Sequence, residues 1–337
     1  MATLQIIWFV LLAVLFIGYA VLDGFDLGVG SIYPFVARTE EEKNVVRSSI
    51  GPVWDGNEVW LLTAGGALFA AFPAVYATVF SGFYLALMIV LFALIFRAVS
   101  FEFRAQDPDW SGLWDWSFFL GSLLPSLLFG VAAGNIVRGI PLTAGGEYAG
   151  DFFALLNPYA LVAGVTGLAF FIAHGASWLA IKTSGALRER VLTILGPAQW
   201  AYAALLAVLA LTTWLVTPQR FFAVLGSPVG WLGIVLAWAG LITAILFSKR
   251  GNDLNAFYGS SASIAGLVVM WAAAIFPNIV PSLGPGAPMS IFVVSSSQLT
   301  LTVMLVIAVI GVPIVLGYTA LVYSKFVGKT PPHGDGY

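Results

Sequence analysis

Runs of apolar residues, each closed by a short stretch of Pro, Gly or charge, follow one another along the whole chain. A helix that crosses a bilayer needs about 20 predominantly apolar residues at a rise of 1.5 Å per residue. Nine stretches meet that length: 4–33, 50–71, 75–100, 114–137, 157–181, 191–215, 229–248, 255–277 and 298–324. The connections are short, the longest being 101–113, 138–156, 278–297 and the tail after Lys325, so no soluble domain fits among them. The pattern predicts an all-α integral membrane protein, a single polytopic domain over residues 1–337, with room for two four-helix groups. The stretch 278–297 is Pro/Gly-rich and uncharged and reads as an ordered loop.

Composition agrees: 60% of residues are apolar, 9% are charged and the mean hydropathy is +0.96, more apolar surface than a water-soluble chain can hide. Cysteine is absent, which excludes disulfides, zinc thiolates, iron–sulfur clusters and thiolate-ligated haem. The formal charge of −2 says little about partners, and no nucleic-acid binding is expected. The first helix, MATLQIIWFVLLAVLFIGYAVLDG, lacks a basic leader and reads as retained, unlike a cleaved signal peptide.

Cytoplasmic connections carry the excess of Lys and Arg. Those after odd-numbered helices hold Arg38, Lys43, Arg47, Arg97, Arg104, Lys182, Arg188, Arg190, Lys249, Arg250, Lys325 and Lys329, twelve residues, whereas the opposite side holds only Arg138 and Arg220. The asymmetry predicts nine crossings with the N-terminus outside and the C-terminus cytoplasmic.

That orientation sets the depth of the charges inside the spans. Asp23 and Asp26 lie about 20 residues down the first helix, roughly 30 Å from its start and so at the inner boundary. Asp55 and Glu58, three apart and so on one helical face, with Asn57 between them and Trp54 and Trp60 flanking, enter from the inner side and lie about 8–12 Å deep. Arg97 and Glu102 reach the same level, and His174 falls in the inner third. Carboxylates at bilayer depth cost several kcal/mol and normally face a partner or a water path. Groups of this kind, arriving from several helices in one leaflet, are suited to take up and pass protons, with an opening only inward. The plainer alternatives are a hydrated helix end at Asp23 and Asp26, an ion pair of Asp55 and Glu58 with Arg97 gluing helices together, a satisfied core histidine at His174 and a solvated His333. Gly65, Gly66, Gly82, Gly121, Gly164 and Gly167 are expected to permit close helix approach. An ion-coupled secondary transporter is the competing function, and it calls for polar groups in both leaflets.

GYAVLDGFDLGVG at 18–30, WDGNEVWLLTAGGALFAAFP at 54–73, FSGFYLALMIVL with FRAVSFEFR at 80–104, WDW…GS at 114–122, LLNPYALVAG at 155–164 and SSSQLTLTVML at 295–305 closely resemble subunit II of the cytochrome bd quinol oxidases. The likeness covers nearly the whole chain, and WDGN…VWL is its most specific element. It implies two four-helix bundles with one peripheral helix, paired as a heterodimer with subunit I in the bacterial cytoplasmic (inner) membrane. Subunit I is implied to carry two b-type haems, one d-type haem and the site that oxidises quinol. The complex reduces dioxygen to water with cytoplasmic protons. A small single-helix subunit and, in some members, a structural quinone accompany it. Carried over by residue, Asp55 matches the acid of a proton path and Asp26 an acidic position of DGFD, with Asp23 and Glu58 as further candidates. Trp54 and Arg97 match the family's Trp and Arg, and Asn57 lies within the same motif. At position 58 the family also admits Gln, which weakens a proton role for Glu58. No haem ligand is assigned to this chain: two histidines and no cysteine cannot supply axial ligands for three haems, so a partner must bring them.

Overall fold

The structure, a computed structural model, describes residues 1–331; His333 lies outside them. It is helical almost throughout: α1 (Ala2–Val36), α2 (Glu40–Ser48), α3 (Trp54–Ala71), α4 (Pro73–Gly82), α5 (Tyr84–Phe103), α6 (Ser111–Arg138), α7 (Pro158–Lys182), α8 (Gly185–Val216), α9 (Pro218–Leu225), α10 (Pro228–Lys249), α11 (Asp253–Ile275), α12 (Ile291–Val294) and α13 (Gln298–Lys325). Eight of these are long and apolar enough to cross a membrane. The stretch expected as the second span forms α3, whose first two turns carry Asp55, Asn57 and Glu58, and it is not among the eight.

Several boundaries differ from the hydropathy reading. The run 75–100 is two helices that meet at Phe83, next to Gly82, which is pressed against the Tyr148 ring. Continuous apolarity conceals that break. Helix α8 starts at Gly185, a polar turn and a half before its apolar run, held there by Arg188 to Asp253 at 2.8 Å and by Arg190 to Glu42. Helix α2 falls where a plain connection was expected. Thr39 and Glu42 cap it reciprocally, a signal visible as T-x-x-E. The loop 278–297 contains a small antiparallel pair, Asn278–Val280 with Met289–Ser290, and its Pro281 carbonyl accepts from the amide of Ile140 at 3.0 Å. Arg97 sits inside α5, fully buried, and so does not belong to the cytoplasmic connection with which it was grouped.

Helix α1 is the centre, packing against α3, α6, α7 and α11, while α5 lies on α6, α8 on α7 and α10 on α11. The α1–α7 crossing depends on Gly28 and Gly175. A Cβ on Gly28 would stand 1.8 Å from the Phe171 carbonyl oxygen, so the two backbones touch. Helix α13 stays at the edge, with Leu301 its one buried residue. Gly82, Gly121, Gly164 and Gly167 do face neighbours, but Gly65 and Gly66 face nothing within 4 Å in this chain, because they lie on the outward side of α3.

Candidate functional site

On α1, Tyr19, Asp23 and Asp26 follow at intervals of four and three residues, the spacing that places them on one helical face. That face points into the bundle, and both carboxylates are fully buried. On α3 the buried side carries Trp54, Asn57 and Trp60. Glu58 stands at its border with a quarter of its side chain exposed. Asp55 is about 60° of helical rotation from Glu58 and falls on the exposed side. Trp54 stacks on Phe101 of α5 at 5.3 Å.

Arg97 reaches this border from α5. Its Nη2 donates to Asp23 Oδ1 at 3.0 Å and its Nη1 to Glu58 Oε1 at 2.9 Å, so one guanidinium ties α1, α3 and α5 together. The approach requires Gly121 of α6, where a Cβ would lie 2.9 Å from the Arg97 backbone nitrogen. Next to this ion triad, Asn57 Nδ2 donates to Asp26 Oδ2 at 2.7 Å and to the Leu22 carbonyl at 3.2 Å. The Asn57 Oδ1 accepts from the Tyr323 hydroxyl of α13 at 2.9 Å. Tyr323 was not anticipated from sequence, since no spacing relates residues 266 apart. Asp23 Oδ2, Asp26 Oδ1, Arg97 Nε and Tyr19 Oη are buried with no protein partner. Buried polar atoms normally have partners, and water is the usual one where protein supplies none.

Two carboxylates thus meet one guanidinium, and a third, that of Asp26, lies beside them on Asn57. Burying net charge is expensive, and a bound proton is the cheapest neutraliser available to carboxylates. The arrangement can therefore exchange protons while Arg97 holds two of the acids in place.

The remaining expected residues lie elsewhere. Glu102 is exposed and takes no part in the cluster. His174 is fully buried, stacked on Phe257 at 4.6 Å, with Nδ1 2.7 Å from Ser260 Oγ and Nε2 2.9 Å from the Val21 carbonyl. Both ring nitrogens are engaged, so it does not fit an axial haem ligand. Among the described residues no three His, Asp or Glu side chains are grouped to hold a metal. A second polar cluster, also not anticipated, sits at the helix ends: Arg104 and Lys43 clasp both Glu40 and Asp115, with distances of 2.6 Å from Arg104 Nε to Asp115 Oδ1 and 2.9 Å from Lys43 Nζ to Asp115 Oδ2. The Tyr33 hydroxyl donates to Asp115 at 2.6 Å. Hydrogen bonds from Lys43 and then Arg104 hold the Glu40 carboxyl below its ordinary range.

Residues 4–326 match the family described as cytochrome bd terminal oxidase subunit II. The chain is 39% identical over 362 residues, 97% of its length and 95% of the relative's, to "Probable cytochrome oxidase subunit 2" of Haemophilus influenzae. It is 38% identical over 366 residues, with the same coverage, to the cytochrome bd-I ubiquinol oxidase subunit 2 of Escherichia coli. In fold it is similar to a chain of the bd oxidase from Geobacillus thermodenitrificans, with a TM-score of 0.81, 16% identity and coverage of 96% of this chain and 98% of that one.

Proposed function

The chain belongs to the cytochrome bd terminal oxidase subunit II family, and from that premise we propose that its buried acidic cluster carries protons from the cytoplasm toward the oxygen-reducing centre of subunit I. It acts as subunit II of a quinol-oxidising, oxygen-reducing complex in the bacterial inner membrane, a multi-pass and integral part of an oxidoreductase. Family membership sets aside the ion-coupled transporter. In this reading α3 makes a ninth crossing, and α1, α3, α5 and α6 form one four-helix group. Helices α7, α8, α10 and α11 form the other, with α13 peripheral, the N-terminus outside and the C-terminus cytoplasmic. The three haems, two b-type and one d-type, reside in subunit I, where they supply the oxygen chemistry that consumes the protons. A structural quinone and a small single-helix subunit are compatible additions.

The observation that carries the reading is the Asp23–Arg97–Glu58 triad, with Asp26 beside it and unpartnered carboxylate oxygens on both buried aspartates. Asp23 and Asp26 exchange protons across the unpaired oxygens, Asn57 and Tyr323 fix the orientation of Asp26, and Glu58 links the cluster to the border of α3. Asp55, one turn nearer the helix start on the exposed side, is the acid placed to meet subunit I. Trp54 packs the same turn against α5.

In the purified two-subunit complex, Asp55→Asn is expected to slow oxygen consumption about a hundredfold or more, the scale of a lost proton-transfer group, while the haem absorption spectrum stays complete. Unchanged turnover in a fully assembled complex overturns the role of Asp55.

A further inference from the structure

A cavity of about 210 Å³ opens among the ends of α7 and α13 and the segment leading into α3, far roomier than the ~10–15 Å³ that one water requires. Lys182, Lys325 and Lys329 line it together with Ser49, Trp178 and Tyr323. Lys182 is the last residue of α7 and Lys325 the last of α13, so the cavity lies where long apolar helices leave the hydrocarbon layer. Trp178 and Tyr323 stand just inside, the depth at which amphipathic rings meet lipid headgroups.

The charges are what make this cavity a site. Lys43, Arg97, Arg104, Arg188 and Arg190 each have a carboxylate within salt-bridge distance. Among the described residues the other nine Lys and Arg side chains have none, and three of those nine converge on this one cavity. Lys182 Nζ donates to the Phe326 carbonyl and lies 4.9 Å from the centre of the Trp178 ring. Lys329 Nζ donates to the Ala180 carbonyl at 3.0 Å. Carbonyls and an aromatic face orient the ammonium groups without neutralising them. The neighbouring acid, Asp253, is engaged by Arg188 at 2.8 Å.

We propose that this cavity binds a phosphate anion, presented by the headgroup of an acidic phospholipid. The lysines supply donors and charge to the phosphate oxygens, while Trp178 and Tyr323 flank the glycerol and the first part of the acyl chains. A neutral lipid gains only the ring contacts. The assignment rests on the three lysines, none of which belongs to the acidic cluster; Tyr323 alone is shared, its hydroxyl bonded to Asn57 and its residue lining the cavity.

The test uses the purified two-subunit complex reconstituted in vesicles of phosphatidylcholine, with or without phosphatidylglycerol, and then returned to detergent. Native mass spectrometry counts the lipid retained, and turnover is not the readout. Wild type is expected to retain phosphatidylglycerol in preference to phosphatidylcholine. Lys182→Gln, Lys325→Gln and Lys329→Gln are each expected to weaken that preference about fivefold, the value of one basic residue at an anionic surface. Lys182→Arg keeps the charge and is expected to keep the lipid. Lys325 is exposed, so its variant folds even if the Lys182 change does not. A lipid-stripped complex that binds inorganic phosphate through the same lysines, with no preference for phosphatidylglycerol, makes free phosphate the source and leaves the site standing. Equal retention of both lipids without phosphate binding, or glutamine variants indistinguishable from wild type, overturns the proposal.

Discussion

Arg97 is the side chain on which the acidic cluster turns. It is wholly buried and bonded to acids from two other helices. Removing one partner of a buried ion pair leaves the other uncompensated, at a cost of about 3–5 kcal/mol. Arg97→Leu is therefore expected to lower the yield and thermal midpoint of the purified complex sharply. Asp23→Asn added to that variant should recover part of the loss, because it removes the stranded charge. If the two changes simply add, the ion pair is not what holds these helices. Asp55, by contrast, has no ion pair within this chain among the described residues, and Asp55→Asn should leave the thermal midpoint nearly unchanged while slowing turnover.

At the level of elements, the α1–α7 crossing is the contact least tolerant of change. Gly28→Ala places a methyl against the Phe171 carbonyl, a backbone atom that cannot step aside, and overpacking of this kind typically costs about 1–3 kcal/mol. Gly317→Ala on α13 meets nothing within 4 Å and gains helix propensity instead. Thermal melts of the two variants in detergent should separate, with the first lowered and the second unchanged or slightly raised. The clasp of α2 gives a second expectation. Glu40 has a lowered folded pKa, so its contribution is present above the unfolded value and is lost as pH falls through the lower folded value. The effect lies below the ordinary glutamate range of about 4.3 and is small, under about 1 kcal/mol, because Glu40 is largely exposed. Glu40→Gln should flatten the acid limb of a plot of melting temperature against pH.

Across the whole molecule, α3 presents an outward stripe of Asp55, Val59, Leu62, Gly66 and Phe69 at alternating intervals of four and three. Leu62 is 74% exposed and Phe69 59%. A helix with an apolar outer stripe and an acid at its N-terminal end is well suited to lie against subunit I, and Gly66 leaves room for a close approach. Leu62→Glu is expected to abolish co-purification with subunit I while the isolated chain keeps its helical circular dichroism. Retention of the partner would place the interface on another face.

Read alone, the sequence determined the elements whose signal is local: long apolar helices, the membrane setting, the family, and the arrival of Asp23, Asp26, Glu58 and Arg97 at one depth. Length and rise per residue suffice for these, because depth along a helix is a one-dimensional quantity. Lateral position is not, and the tertiary structure decided it. Asp55 and Glu58 are three residues apart in one motif, yet the rotation of α3 exposes the first and gives the second to Arg97. Asn57 met Tyr323, and Lys43 and Arg104 met Asp115, only because separate helices end side by side. Gly65 and Gly121 look alike in sequence, but only Gly121 has a helix against it. Which face of a helix turns inward depends on the sum of its contacts with every neighbour, and a single apolar run cannot state that sum.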